Sequence, residues 1–220
     1  MLIYDFFAGT GSATKAFERA GHTVIKIELK EKFEAHERDI LQLDAASLVA
    51  KYGQPDFIWA SPPCTTFSVA SCMIYWNRDG SVKDDRVYEG IALVKKAIAL
   101  IKEINPAKGW LIENPRGMLR KQDFMQDLPR TTITYCQYGD FRMKPTDLWG
   151  QVANWTPRKM CKPGANCHEN SPRGTATGNQ RLGGAEKRSM IPIALGQEIL
   201  EAITKDTPSE QHLLKKDLTA

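Results

Sequence analysis

The chain has 220 residues, a net charge of +4 at neutral pH and five scattered cysteines. This length predicts one domain, or one domain with a small appendage, which can bury an adequate core without disulfide or metal support. An odd cysteine number argues against a disulfide framework, the charge is too small for a nucleic-acid coat, and no run approaches the roughly 18 apolar residues of a membrane span. We therefore expect a cytoplasmic protein without a membrane partner, whose thiols serve catalysis or metal binding.

The first predicted element is a strand that leads into a glycine-rich turn. Residues 2–7 are apolar, and the turn at 8–12 is followed by a helix over 13–20, with Ser12 as its expected cap. Glu28 ends the next apolar run at a spacing near the roughly 20 residues of a carboxylate that binds ribose hydroxyls. This order predicts a nucleoside-type cofactor rather than a plain tight turn.

Strands and helices alternate up to about residue 150. Apolar periodicity of three and four residues is clearest over 86–104. The other helices are predicted at 31–36, 45–51 and 195–203. Further strands are predicted at 56–62, 109–113 and 131–136, with a short strand or turn at 39–41 and a lid or binding loop at 65–85. The pattern predicts an α/β fold of Rossmann type, a mainly parallel twisted sheet with helices on both faces and a small irregular basic appendage.

The strand predicted from residue 56 runs into two prolines, ends there and is followed by a cysteine. Pro62 and Pro63 fix two φ angles and remove two amide donors, so the chain must turn rigidly at the sheet edge where ligands bind in open α/β folds. Cys64 is therefore a candidate nucleophile, with a small buried hydrophobe as the alternative. Glu113, followed by Asn-Pro at the end of another strand, is a candidate acid on the same edge, although alone it could cap a helix.

From about residue 150 the apolar periodicity disappears, and Gly, Pro, Asn, Lys and Arg dominate. We divide the chain into a catalytic domain (1–150), the basic segment (151–187), a returning segment (188–204) and a flexible tail (205–220). The basic segment either contacts phosphates or is a solvated loop, and its interleaved cations favour phosphate contact.

Two thiols and an imidazole lie close together in the basic segment, at Cys161, Cys167 and His168. A structural zinc site needs a fourth ligand and usually has cysteines two to four positions apart, whereas five residues separate these two. We therefore predict no metal here, and keep zinc as the lesser alternative to loop packing or a labile disulfide. Cys72 and Cys136 are expected to be core or loop thiols.

These motifs resemble those of the DNA (cytosine-5-)-methyltransferases, particularly small phage and mobile-element enzymes with a reduced target-recognition region. The resemblance covers most of residues 1–150 and the last helix. The family opening, Asp-Phe-Phe-Ala-Gly-x-Gly, stands at residues 5–11, and the proline-cysteine loop at 62–64, with Thr65 in place of the usual glutamine. Residues 113–115, Glu-Asn-Pro, resemble the Glu-Asn-Val motif, and 39–40 and 85–86 match two further motifs.

The resemblance implies methyl transfer from S-adenosylmethionine to carbon 5 of a flipped-out cytosine in DNA. Cys64 would attack ring carbon 6, Glu113 would act on ring nitrogen 3 as an acid of raised pKa, and Arg142 would support the base. The implied cofactor contacts are Asp5, Phe6, Ala8, Gly9, Thr10, Gly11, Glu28, Asp39, Ile40, Pro62 and Arg188. The expected DNA contacts are Ser68, Lys144, Arg158, Lys159, Arg173, Gln180 and Arg181.

The chain departs from the family pattern in two places. The basic segment is short, which predicts short or loose sequence specificity, with further selection left to a protein partner. Arg188 adds a cation near the amino-acid end of the cofactor, so a carboxylated S-adenosylmethionine and transfer of a larger group remain the lesser alternative. Three other readings stay open: a carbon-5 methyltransferase of transfer RNA, an amino-group methyltransferase, which would need no thiol, and a DNA-binding module with a vestigial catalytic fold.

Overall fold

The computed structural model describes residues 1–169 and 184–205. Six strands lie in these residues: β1 (Leu2–Phe6), β2 (Thr23–Ile27), β3 (Phe57–Ala60), β4 (Trp110–Pro115), β5 (Arg130–Thr134) and β6 (Pro145–Gln151). They form one sheet in the order β2-β1-β3-β4-β6-β5. β1 pairs in parallel with β2 and β3, β3 pairs in parallel with β4, and β6 lies antiparallel between β4 and β5. The predicted α/β fold with a mainly parallel sheet is confirmed.

The helices in the described residues are α1 (Lys15–Arg19), α2 (Ala45–Tyr52), α3 (Cys72–Tyr75), α4 (Arg86–Ile104), α5 (Ala185–Ser189) and α6 (Ile193–Thr204). Short 3₁₀ turns occur at Ile40–Gln42, Leu119–Lys121, Asp123–Met125 and Tyr135–Tyr138. α4 begins and ends at the residues predicted from the sequence, 86 and 104. In the part of the chain that can be described, no helix combines the length and the apolar character that crossing a bilayer requires.

Several local predictions are corrected by the structure. Residues 31–36 form turns and not a helix, because the Arg38 guanidinium binds the carbonyls of Lys30 and Phe33 and thereby satisfies them outside a helix. α1 begins at Lys15, and the Ser12 hydroxyl accepts a hydrogen bond from the Ile191 amide at 3.0 Å instead of capping that helix.

The strand predicted over 131–136 ends at Thr134, where the chain tightens into a 3₁₀ turn. β6 is absent from the prediction, since its Pro145, Asp147 and Gly150 are residues that strands disfavour. Asp147 is buried there because Arg120 forms an ion pair with it. A partner distant in sequence therefore makes this strand stable.

The sheet separates two apolar clusters. Tyr4 faces a cluster that includes Ile101 of α4, whereas its neighbour Ile3 faces a cluster that includes Phe17 of α1 and Leu195 of α6. This alternation follows from the two-residue repeat of a strand. Helices therefore cover both faces, as predicted, and the carboxyl ends of β1, β3 and β4 meet at one edge.

α6 packs closely on the segment that leads into α1. A Cβ atom added to Gly196 would lie 2.8 Å from the Ala13 carbonyl oxygen, which is shorter than a normal contact. Glycine at this position therefore permits the approach of the two elements, at the usual cost of glycine in a helix.

We predict that Gly196→Ala destabilises the protein by about 1 to 3 kcal/mol, because the added methyl group forces α6 away from Ala13. Urea unfolding followed by circular dichroism measures this change. Glu201→Gln, at an exposed position of α6, is the control and should change the free energy of unfolding by less than about 0.5 kcal/mol. An increase in stability on Gly196→Ala, which helix propensity alone would give, would contradict the packing argument.

Candidate active site

A cavity of about 270 Å³ opens at the carboxyl ends of β1, β3 and β4. Its wall is formed by the glycine-rich turn, the proline-cysteine turn and side chains from β4, α5 and the segment before β6. The sequence-predicted residues in this wall are Ala8, Gly9, Thr10, Glu28, Asp39, Ile40, Pro62, Cys64, Glu113 and Lys144. A larger depression of about 710 Å³ lies at the opposite ends of the strands, near Gly109 and Gln151, away from these groups. The structure thus brings the predicted nucleophile, acid and glycine-rich turn to one cavity.

The glycine-rich turn is held against the carboxylate of Glu28. Gly9 has a φ angle of +52°, and its amide donates to Oε2 of Glu28 at 2.8 Å. The Lys30 amide donates to Oε1 at 3.0 Å. Each carboxylate oxygen keeps a further acceptor site, so Glu28 can still accept hydrogen bonds from hydroxyl groups in the cavity.

An apolar wall lies beside this carboxylate. Ile40 is buried and lines the cavity together with Phe33 and Leu93. Asp39 precedes it as the cap of a 3₁₀ turn, and its Oδ1 accepts from the Leu41 amide at 3.0 Å. A flat aromatic ring with adjacent hydroxyl groups, such as a nucleoside, matches this combination of surfaces.

Four predicted cofactor contacts are not part of the cavity wall: Asp5, Phe6, Gly11 and Arg188. Strand alternation directs Asp5 and Phe6 to opposite faces of the sheet, where both are fully buried. Asp5 accepts a hydrogen bond from the Thr14 hydroxyl at 2.6 Å, and its other oxygen has no partner. Burial raises the pKa of Asp5 to about 7, with the Thr14 hydrogen bond acting in the opposite direction.

A single side-chain hydrogen bond secures the proline-cysteine turn. The Asn114 amide donates to the Pro62 carbonyl at 2.9 Å, which ties the end of β4 to the turn after β3. The Cys64 carbonyl then accepts from the amides of Phe67 and Ser68, at 3.1 and 2.9 Å. Cys64 is half-buried and faces the cavity from the start of this tight turn. Asn114 is a positioning residue whose contact the sequence pattern alone did not reveal.

Glu113 is almost fully buried on β4. Burial raises the pKa of its carboxyl group, while Lys144 and the Tyr135 hydroxyl lower that pKa by smaller amounts. The hydroxyl donates to Oε1 of Glu113 at 2.7 Å. Tyr135 is a member of this site that sequence analysis missed, because it lies 22 residues from Glu113 on another element.

Lys144 lies in the cavity wall beside Cys64 and Glu113, whereas the sequence analysis counts it among DNA contacts. Burial lowers the pKa of its ammonium group, and the charges of Glu113 and Cys64 oppose that change. Nζ lies 4.4 Å from the centroid of the Tyr135 ring and donates to the Arg188 carbonyl at 3.2 Å. The basic motif around Arg142 is the sequence signal that could have identified Lys144.

The thiol of Cys64 experiences opposing influences. Burial raises its pKa first and the nearby Glu113 carboxyl raises it further, while the cations of Lys144 and Arg188 lower it. A thiol of raised pKa is mostly protonated at neutral pH. Its reactivity therefore depends on the protonation state of Glu113 and on the cation of Lys144.

Arg142 lies outside the cavity wall and contacts other parts of the chain. It is buried, it is paired with Asp140, and it donates to the carbonyls of Arg188 and Met190 at 3.0 and 3.3 Å. These bonds fasten the segment after α5 to the chain before β6. The predicted contact of Arg142 with a substrate base stays a prediction.

The predicted DNA contacts lie in several places. Ser68 shares a hydrogen bond of 2.8 Å with Ser71 in the loop after Cys64, and Lys159 is exposed. Arg158 forms an ion pair with Glu198 and also donates to the Gln137 carbonyl. The remaining three candidates, Arg173, Gln180 and Arg181, lie outside the described residues. The roles of all these residues stay predictions.

The fold and the site together define an α/β Rossmann-like enzyme of the methyltransferase class. Residues 1–134 match the family model of the C-5 cytosine-specific DNA methylases. A probable DNA (cytosine-5)-methyltransferase of Frog virus 3 (isolate Goorha) is 31% identical over 188 residues, which are 82% of this chain and 84% of that protein. The chain belongs to the C-5 cytosine-specific DNA methylase family, whose members use S-adenosylmethionine.

Two solved structures also align with the chain. The Dnmt2 methyltransferase of S. pombe is 12% identical, with a TM-score of 0.48, over 72% of this chain and 51% of its own. A mutant of DNMT2 from Spodoptera frugiperda is 14% identical, with a TM-score of 0.45, over 71% of this chain and 53% of its own. The chain spans about half the length of each of these two proteins.

The buried Asp5 carboxyl predicts an unusual pH dependence of stability. Its pKa of about 7 in the folded state exceeds the ordinary value of 3.8, so the folded state holds an extra proton between these two pH values. The free energy of unfolding therefore falls as pH rises through this interval, by up to about 4 kcal/mol.

We predict that Asp5→Asn, which cannot lose a proton, removes the contribution of Asp5 and makes the decline smaller than in the wild type when urea unfolding is measured at several pH values. The exposed loop substitution Asp79→Asn is the matched control and should keep the decline between about pH 5 and 8, since the pKa of Asp79 lies below its ordinary value. Parallel pH profiles for the wild type and Asp5→Asn would show that Asp5 does not bind the extra proton.

Proposed function

We propose that the protein transfers a methyl group from S-adenosylmethionine to carbon 5 of cytosine in DNA through a transient covalent bond to Cys64. The observation that carries this proposal is the shared cavity, in which Cys64 and Glu113 lie in the same wall as Gly9 and Glu28. Family membership supports the reaction and the nature of the methyl donor. The retained thiol and acid disfavour a DNA-binding module without activity.

The cavity has suitable surfaces for the methyl donor, which supplies an electrophilic methyl group when bound. Glu28 would accept hydrogen bonds from the ribose hydroxyls, because both its oxygens are fixed by backbone amides and retain acceptor sites. Ile40 and Phe33 would contact the adenine ring through their apolar side chains. These contacts would hold the nucleoside beside the turn that carries Cys64.

Carbon 5 of cytosine is a poor nucleophile, and covalent addition of a thiolate makes it reactive. The Cys64 sulfur forms a bond to ring carbon 6 while the carbon 5–carbon 6 double bond opens, and carbon 5 then takes the methyl group. A base next removes the proton from carbon 5, and the thiolate leaves as the double bond forms again. The base must leave the duplex stack for this attack, at a cost of a few kcal/mol.

Glu113 would donate a hydrogen bond or a proton to ring nitrogen 3 during the addition. This role needs a protonated carboxyl group, and the burial that raises its pKa favours that form. A neutral Glu113 also removes one cause of the raised pKa of Cys64, so the thiolate becomes easier to form. Lys144 would stabilise that thiolate by its charge.

The region that could read DNA sequence is small. Within the basic segment, residues 152–169 contain no helix or strand, and their cations suit phosphate contact better than base recognition. We therefore infer short or loose sequence specificity, with a protein partner for further selection. Mass spectrometry of nucleosides from treated DNA identifies the transferred group. A carboxylated cytosine product would show that the donor is a carboxylated S-adenosylmethionine and that the transferred group is larger than methyl.

We predict that DNA containing 5-fluorocytosine traps the protein as a covalent adduct in the presence of S-adenosylmethionine, because fluorine on carbon 5 cannot leave as a proton does. Cys64→Ser should give no adduct. Glu113→Gln should slow adduct formation by about 100-fold or more while leaving cofactor affinity unchanged. Denaturing gel electrophoresis and peptide mass spectrometry measure the adduct.

Cys72→Ser is the matched control for this trap, since Cys72 is also half-buried but lies outside the cavity wall. It should form the adduct at the wild-type rate. Adduct formation by Cys64→Ser, or its absence in the wild type, would overturn the proposed chemistry. RNA containing the same fluorinated base, added as a competitor, measures the preference between the two nucleic acids.

We also predict that Lys144→Gln shifts the pH dependence of Cys64 alkylation by iodoacetamide toward alkaline pH. The ammonium group lowers the pKa of this thiol, whereas burial raises it. Removal of the ammonium group therefore raises the pKa of Cys64. Peptide mass spectrometry separates Cys64 from the other cysteines. The control Lys102→Gln, at an exposed position near the carboxyl end of α4, should leave the pH profile unchanged. A Lys144→Gln profile equal to that of the wild type would exclude this role of the cation.

A further inference from the structure

Four potential metal ligands meet where the basic segment packs on the catalytic domain. The Sγ atoms of Cys136, Cys161 and Cys167 and a ring nitrogen of His168 all lie within 4.8 Å of one another. Zinc is disfavoured from the sequence because a fourth ligand is missing and because five residues separate Cys161 from Cys167. The structure supplies this ligand from the 3₁₀ turn Tyr135–Tyr138, which carries Cys136.

The spacing of these atoms suits a tetrahedral metal. Sγ of Cys167 lies 3.1 Å from that of Cys161 and 3.7 Å from that of Cys136. Nδ1 of His168 lies 3.4 and 3.6 Å from the sulfurs of Cys161 and Cys167. Zinc–sulfur bonds of about 2.3 Å in a tetrahedron place two sulfurs about 3.8 Å apart, so a central ion needs only small movements of these side chains.

We propose that Cys136, Cys161, Cys167 and His168 form a structural zinc site. Three cysteines and one histidine are a recurrent ligand set of structural zinc, and four protein ligands leave no position open for water or substrate. A disulfide between Cys161 and Cys167 would use only two of the four converging groups. Zinc uses all of them.

Hydrogen bonds of the surrounding backbone hold the four ligand residues close together even though no metal is needed for these bonds. The Cys161 amide donates to Oγ1 of Thr134 at 2.9 Å, and the Glu169 amide donates to the Phe141 carbonyl at 2.8 Å, so both ends of the ligand loop are fixed. Between the ligands the chain turns at Gly164, whose φ angle is +86°. This turn explains how cysteines separated by five residues reach one point.

Gln137 supplies a further contact typical of a metal centre. Its side-chain amide donates to the sulfur of Cys167 at 3.3 Å. Donors of this kind stabilise a metal-bound thiolate, and their removal commonly lowers metal affinity about 10- to 100-fold. Gln137→Leu therefore tests the site without removing a ligand.

The zinc site would connect the basic segment to the catalytic groups. Cys136 is adjacent to Tyr135, which binds Glu113, and the loop from Arg158 to His168 carries the exposed Lys159. Metal binding would hold this loop, with its cations, on the 3₁₀ turn next to Tyr135. This consequence for DNA rests on the proposed function, whereas the metal site itself does not.

The test measures the metal content of the full-length protein under reducing conditions after reconstitution with Zn²⁺ alone and removal of excess metal. We expect one zinc per chain for the wild type and for Cys72→Ser, and loss of stoichiometric zinc in Cys136→Ser and Cys167→Ser. Cys167 is exposed, so Cys167→Ser tests the site without disturbing the core. Gln137→Leu should lower zinc affinity about 10-fold or more.

Replacement of zinc by Co²⁺ should give thiolate-to-metal absorption in the wild type that is lost in Cys167→Ser. A wild-type protein that retains no metal, or a Cys167→Ser variant that retains full zinc, would overturn the proposal. An intact mass lower by two hydrogens without reductant, together with no zinc uptake by the reduced protein, would establish a disulfide instead.

DNA binding provides a separate measurement. Metal removal should weaken DNA binding several-fold and leave S-adenosylmethionine binding unchanged, because Glu28 and Ile40 lie on other elements. Stoichiometric zinc without any covalent DNA adduct would refute the proposed reaction alone. An adduct formed by a protein that binds no zinc would refute the zinc site alone.

Discussion

The hydrogen bond from the Asn114 side chain to the Pro62 carbonyl is the contact on which the active site depends. Two consecutive prolines have no amide hydrogens, so the turn cannot be secured by bonds from its own backbone at these positions. Asn114 supplies the missing donor from the neighbouring strand, immediately after Glu113. One side chain therefore couples the position of the nucleophile to that of the acid.

A second constraint is electrostatic. Cys64, Glu113 and Lys144 are ionisable groups in one cavity with limited access to water, where two like charges are costly. A neutral acid with a thiolate and an ammonium ion satisfies this constraint, as does a carboxylate with a thiol and the same ammonium ion. The two arrangements carry the same net charge, so the protonation states of Cys64 and Glu113 are linked through their charges.

Local sequence patterns predicted most of the sheet and the two turns that form the cavity. Prolines after β3 and glycines after β1 have strict backbone consequences, so Cys64 and Gly9 were correctly assigned to one edge. β6 was missed because the stability of its buried Asp147 depends on Arg120, 27 positions earlier in the chain. The helix predicted over 31–36 was wrong because Arg38 stabilises a turn there.

Distance along the chain also explains which contacts of the site residues the sequence did not reveal. Tyr135 and Cys136 are neighbours in sequence, yet one binds Glu113 and the other meets Cys167, and neither contact leaves a local pattern. Lys144 was assigned to DNA because its sequence indicates charge but not burial. Residue types and turns were thus predictable, whereas contacts between distant elements required the fold.

The hydrogen bond between Ser12 and the Ile191 amide joins the glycine-rich turn to the segment that precedes α6. During translation, the wall beside the glycine-rich turn is incomplete until residues near 191 have left the ribosome. A nascent chain that carries every catalytic group would therefore lack a finished binding site. We expect activity to begin only after this segment has been synthesised and has packed against the glycine-rich turn, so shorter nascent chains stay inactive.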